Sequence, residues 1–193
     1  SPDQRNLGDI LDSPVSAIGN RVGGRQEFLV TAANDGMVHL FQSDVSAGAP
    51  NPYHLKLSYI PADMQRDSGN GGETMGKTLK ELAQEGYGNL DKSHRYMING
   101  GFTLRQTPDS SHSKGQQIFM AGAMGQGGRG AYALNIGGKN RVNGSGLALN
   151  GSDMEKDVPL FETAKGAGNT LGYTIGLSLK NIRRCRRYYR FRS

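Results

Sequence analysis

Short apolar runs separated by glycine-rich turns dominate this chain, and their spacing predicts β-strands. The clearest example is Phe28–Phe41, FLVTAANDGMVHLF, two runs folded on an Asn34-Asp35-Gly36 turn. Asp-Gly between apolar runs is a strong hairpin signal, because the turn needs a positive φ that costs glycine nothing. Phe28, Val30 and Ala32 fall on one face of the first run, Leu29 and Ala33 on the other. With both faces largely apolar, the strand is expected to be covered on both sides, as in a sheet stacked between two others. A second version of the pattern follows at Gln117–Ile136, QIFMAGAMGQGGRGAYALNI, with a glycine-rich turn replacing Asp-Gly.

Extending this reading predicts strands at Pro14–Gly19, Glu27–Ala33, Met37–Gln42 and His54–Ile60. In the last, Leu55, Leu57 and Tyr59 alternate with Lys56 and Ser58, as suits an outer strand. Four consecutive antiparallel strands within about 50 residues have the size of one β-propeller blade. The order recurs at Tyr96–Arg105, Gln117–Met124, Ala131–Ile136 and Val158–Thr163, with the two second strands starting 90 residues apart, near Phe28 and Ile118. Leu171–Leu179 would begin a third blade. An insertion at 62–93 accounts for much of the excess length, and its Thr78–Gln84 segment, TLKELAQ, has the spacing of a short amphipathic helix. Gly137–Lys156 reads as a polar loop. The expected fold is therefore all-β: a partial propeller of about two four-stranded blades (9–60 and 96–163) plus one strand (171–179), with a small helical insertion.

Composition changes the picture in one place. The 193 residues include 35% hydrophobic side chains, 29 Gly and no Trp, so turns are plentiful and the core is modest. The net charge of +6 suggests a polyanion-binding protein, but six arginines lie in the last eleven residues; without them 17 basic side chains balance 17 acidic ones. Residues 181–193, NIRRCRRYYRFRS, abandon the strand pattern and hold the one cysteine, Cys185, so no intramolecular disulfide forms. This tail reads as frameshifted or otherwise non-native sequence; the alternative is a basic arm for nucleic acid or membrane. No run of 18 apolar residues exists, and with Ser1 in place of Met and no signal peptide the chain reads as an internal or processed piece.

Several motifs tempt a chemical reading. Gly71–Thr78 (GGETMGKT) matches the phosphate-loop expression, but the polar residues before it are unlike the buried strand such a loop requires. Gly125–Gly130 (GQGGRG) fits GxGxxG, yet the following AYALNI is strand length rather than a helix, which favours a hairpin turn. Asp153, Glu155 and Asp157 alternate like the start of a calcium loop but lack its glycine and late acidic ligand. His39, His54, His94 and His112 are scattered, with no zinc-pair spacing, and packing or a local hydrogen bond accounts for His39 within a strand. Asn143-Gly-Ser145 and Asn150-Gly-Ser152 are formal glycosylation sequons. No Ser-His-Asp or Cys-His arrangement emerges, and no catalytic, cofactor, metal or receptor-binding residue is assigned.

Taken together, Leu7–Val15 (LGDILDSPV), Ala33–Phe41 (ANDGMVHLF), Leu57–Pro61 (LSYIP), Tyr96–Phe102 (YMINGGF), Gly122–Leu134 (GAMGQGGRGAYAL) and Leu171–Gly176 (LGYTIG) resemble the C-terminal domain of the PilC/PilY family of type IV pilus tip-associated adhesins. The resemblance spans about residues 7–176. It implies a modified propeller at the bacterial cell surface, outer membrane or pilus tip. That propeller is non-enzymatic, assists pilus biogenesis, and has pilus subunits and a host-cell receptor as partners, with no nucleic acid and no small-molecule substrate. Asn135 stands where the family usually has Asp, and the pattern stops after Gly176, short of the family's acidic calcium-binding loop; no cofactor is therefore transferred to this chain. Two rivals remain. A quinone-cofactor dehydrogenase would share the propeller repeat but bring sheet-docking tryptophans, and a polyanion-binding module would act through Arg183–Arg192. A truncated propeller also leaves apolar blade faces uncovered. At about 25 cal/mol per Å², on the order of several hundred Å² forfeits roughly 10 kcal/mol, as much as a typical domain's whole stability. The isolated chain is expected to fold poorly or to aggregate.

Overall fold

The computed structural model describes residues 7–10, 13–19, 26–43, 52–61, 75–84, 97–98, 100–107, 117–125, 127–137, 153–163 and 171–172. Its elements are β1 (Ser16–Ile18), β2 (Phe28–Ala32), β3 (Val38–Ser43), β4 (Tyr53–Tyr59), α1 (Met75–Leu82), β5 (Phe102–Gln106), β6 (Ile118–Ala123), β7 (Ala131–Gly137), α2 (Met154–Asp157) and β8 (Pro159–Glu162). They form two four-stranded antiparallel sheets, each a simple meander, in the orders β1-β2-β3-β4 and β5-β6-β7-β8. This is the expected partial propeller: two blades whose first strands, β1 and β5, lie beside each other.

The hairpin at the Asp-Gly turn forms as its residues dictate. Ala33 N–H donates to the Met37 carbonyl (3.0 Å), Gly36 N–H to the Ala33 carbonyl (3.2 Å), and Gly36 takes φ 83°. In the second blade, Met124 N–H donates to the Gly130 carbonyl (3.0 Å) and the register closes at Ala123 and Ala131. The GxGxxG stretch is thus a hairpin turn between β6 and β7, with Gly125 at φ 63°.

Each sheet sends one face into a common core. From the first sheet come Phe28, Val30, Ala32, Val38 and Leu40; from the second, Ile118, Met120, Tyr132 and Leu134, joined by Met97, Ile98, Met124, Ile136 and Val158. The covering of β2 is unequal: Phe28, Val30 and Ala32 are fully buried, and Thr31 and Ala33 are buried on the other side, but Leu29 is only half-buried. Where the two sheets meet, the rings of Tyr59 and Tyr132 stand 6.1 Å apart. Both hydroxyls are buried without a hydrogen-bond partner, and burial pushes the Tyr132 phenol far above its ordinary pKa. An unpaired buried hydroxyl opposes folding. Tyr132→Phe should accordingly raise stability, by up to about 1 kcal/mol, read as a higher urea midpoint with an unchanged slope; a lower midpoint would show that the hydroxyl is partnered.

Four features depart from expectation. The first strand of the second blade begins at Phe102, not Tyr96. Met97 and Ile98 are buried, but the Met97 backbone is committed to a side chain of the first blade instead of a ladder. The helix of the insertion starts at Met75, three residues early, and ends at Leu82. The stretch read as polar loop ends in the short helix α2, which carries Met154 against the core. In β4, Leu55 does not share a face with Leu57 and Tyr59. Leu40 pairs with Leu57 and Phe41 with Leu55, leaving Lys56 as an extra, bulged residue, so Leu55 turns to the opposite face and is 51% exposed. The proposed third-blade strand beyond Gly172, residues 71–74 of the phosphate-loop match, both sequons, His94, His112 and the arginine-rich tail lie outside the described residues.

Candidate functional site at the Asn34-Asp35 turn

The richest polar arrangement among the described residues is built on the Asp-Gly turn. The Asp35 carboxylate accepts the Met37 N–H on Oδ1 (3.0 Å) and, on Oδ2, the Gly8 N–H (3.0 Å) and His39 Nε2 (2.8 Å). A carboxylate only accepts, so the His39 proton sits on Nε2, and Nδ1 accepts from the Ser58 hydroxyl 2.9 Å away. Asn34 extends the arrangement in two directions. Its N–H donates to the Asp9 carbonyl (2.8 Å), and its side-chain Oδ1 accepts the Met97 N–H (2.8 Å).

Local structure explains why these groups converge. Asp35 sits at the centre of the tight turn between β2 and β3, His39 follows as the second residue of β3, and Ser58 lies directly across the ladder from His39 on β4. Residues 7–10 cross the turn so closely that a Cβ on Gly8 would press on the Asp35 backbone and Cβ. On the other flank, a Cβ on Gly100 would overlap the Ala123 carbonyl, and one on Gly127 the Met97 carbonyl. Glycine at both places lets residues 97–98 and 100–101 lie against the β6–β7 turn. Ser13 Oγ donates to the Gly100 carbonyl (3.3 Å), a further tie across the two sheets.

Asp35, His39 and Ser58 stand in the order of a nucleophile relay. That chemistry also needs preorganised donors for an oxyanion and a nucleophile presented at a strained elbow or helix N-terminus. Ser58 instead sits in the middle of an extended strand. The arrangement acts as a clasp: it fastens the chain before β1 to the first hairpin, and through Asn34 fastens that hairpin to the second blade. The reading of His39 as a strand histidine held by a local hydrogen bond agrees with this. What sequence reasoning missed was the clasp itself. Its signal was Asp and His four positions apart across a tight turn, with a hydroxyl on the next strand.

Burial works against the ionised Asp35 carboxylate, but the hydrogen bond from His39, that from Gly8, the charge of His39 and the bond from Met37 together outweigh it. The pKa lies below its ordinary 3.8. A depressed carboxyl pKa contributes stability above the unfolded-state value and loses it as pH falls through the folded value. The clasp should therefore stay closed at mildly acidic pH and open only below about pH 4. Unfolding curves of the wild type and Asp35→Asn should converge in that acid range and stay separated above it; equal separation at every pH would exclude this linkage.

The other candidates are resolved by position. Asp153 caps α2 and Asp157 comes four positions later on the same side, but Glu155 falls on the other side of the turn, so the three carboxylates do not converge. Lys156 lies 3.6 Å from Asp153, and no group of three His, Cys, Asp or Glu side chains among the described residues could hold a metal ion. In the second blade the place corresponding to the clasp is closed differently: Thr163 Oγ1 accepts the Ala131 N–H at 3.1 Å.

Two meander blades fastened at their turns define the class, part of a β-propeller. Residues 7–181 match the PilY1 beta-propeller domain, and the chain belongs to that family, which is related to type IV pili. No curated protein and no solved structure gives a significant match. No described helix is long and apolar enough to cross a membrane.

Proposed function

We propose that this chain is the propeller part of a non-enzymatic, surface-exposed factor that assists type IV pilus assembly and contributes to host-cell adhesion. The observation that carries the reading is the family match over residues 7–181, which takes in both blades and the clasp between them. The hydrogen bonding of the first hairpin supports a scaffold: its polar groups are spent on one another and on backbone N–H groups. The partners this reading requires are pilus subunits and a host-cell receptor, met at the bacterial cell surface.

Co-sedimentation with sheared, purified type IV pili tests it. The chain should pellet with pili in a saturable manner and stay in solution with flagellar filaments. Equal pelleting with both, or with neither, would contradict the reading. Binding to pili that survives deletion of residues 181–193 would place the contact in the propeller and not in the arginine-rich tail.

A further inference from the structure

The clasp runs from the interior to the surface. Asp35 is half-buried and the His39 ring is buried, but Ser58, at the outer end, is exposed on an edge strand of its sheet. His39 Nε2 carries the proton that the Asp35 carboxylate accepts at 2.8 Å, which leaves a lone pair on Nδ1 directed at the Ser58 hydroxyl 2.9 Å away. A base within hydrogen-bond reach of a hydroxyl, itself oriented by a third group, makes a serine nucleophilic. By contrast, the hydroxyls of Ser13, Thr31, Thr107 and Thr163 donate to backbone carbonyls, which do not take up a proton.

We propose that Ser58 is an acyl-acceptor site, modified once per chain by small activated esters. In the step, Ser58 Oγ forms a bond to the acyl carbon, and the bond from that carbon to its leaving oxygen breaks. The leaving group departs with the electron pair, the hydroxyl proton passes to His39 Nδ1, and the Asp35 carboxylate holds the resulting cation. The donor must bring a weakly basic leaving group of its own, because the extended strand around Ser58 offers neither an elbow nor a helix N-terminus to stabilise an oxyanion. Hydrolysis of the product would have to expel the Ser58 alkoxide without that help. The ester therefore persists, and the site is used once and does not turn over. Acylation also takes the Ser58 hydroxyl away from His39 Nδ1, so the clasp loses one of its contacts.

Incubating the full chain with p-nitrophenyl acetate near neutral pH, followed by peptide mapping, tests this. Lysines are protonated there and react slowly. The wild type should release nitrophenolate in a burst of about one equivalent per chain and carry the acetyl ester on Ser58. Help from a general base is worth about 100-fold or more, so Ser58 should outpace the chain's other serines by at least that factor. In urea above the unfolding midpoint the preference should vanish, and in deuterium oxide the burst should slow, because the proton moves as the ester forms. Ser58→Ala should abolish the burst with an unchanged circular dichroism spectrum, and the acetylated wild type should show a lower urea midpoint. Three outcomes would overturn the proposal. Acetyl groups spread over lysines and serines without preference would mean that His39 does not activate Ser58. The same preference in urea would assign it to local sequence and not to the folded clasp. Continued release of nitrophenolate through Ser58, well past one equivalent, would mean that the ester does not persist.

Discussion

Asp35→Ala will cost this chain about 3 kcal/mol, among the largest effects of any single polar substitution. Three donors converge on that carboxylate: the N–H groups of Gly8 and Met37 and Nε2 of His39. Removing the acceptor leaves the His39 ring, 2% exposed, with an unsatisfied donor, and a buried orphan costs roughly 1–3 kcal/mol. The two backbone donors are nearer solvent and add less. Because Gly8 loses its anchor while the β2–β3 ladder survives, the loss should be local. Hydrogen exchange should rise first at Gly8 and at the Asn34 amide, which bonds Asp9, before it rises in β2 and β3. Uniform acceleration across both sheets would show that the clasp governs the whole fold and not just the chain that crosses the turn.

Gly127→Ala should be at least as damaging, about 3 kcal/mol or more, although it adds a single methyl group. The new Cβ would overlap the Met97 carbonyl, a backbone atom that cannot rotate aside. Either the β6–β7 turn or the 97–98 segment must move. Moving the latter breaks the Met97–Asn34 hydrogen bond and draws Met97 and Ile98 out of the core, so packing loss adds to the clash. Gly172→Ala is the control, since a Cβ there meets nothing within 4 Å and stability should change by no more than about 0.5 kcal/mol. Equal urea midpoints for the two variants would refute the close approach at Gly127.

The repeat was legible in the sequence because strand signals are local. Phe28–Phe41 and Gln117–Ile136 each carry their apolar alternation and their turn within 20 residues, so the hairpins could be read directly. What could not be read depended on contacts distant in sequence. Nothing near Tyr96 reveals that the Met97 N–H will be claimed by Asn34, 63 residues away, and so the strand was expected six residues too early. Nor does alternation foresee a bulge: Leu55, Leu57 and Tyr59 look like one face until Lys56 is inserted into the ladder. The clasp lay between these cases. Its turn and its histidine were both visible, but Ser58 joins them only once β4 has paired with β3 in its particular register. The short helix α2 escaped because four residues, MEKD, carry too little periodicity to separate a helical turn from a loop.

The bulges have a consequence for how such a chain can go wrong. The outer strand of each blade carries one, at Lys56 in β4 and at Leu160 between the pairs Ala133–Phe161 and Leu134–Pro159 in β8. On either side of Lys56 only three residues keep a regular cadence of N–H and C=O groups. An incoming strand would lose register within about 10 Å, and in β8 it would meet Pro159, which has no N–H to offer. Lateral growth, the route to cross-β fibres, is thus obstructed on both rims even where apolar side chains are exposed. A deposit of this protein should therefore leave amyloid dyes dark.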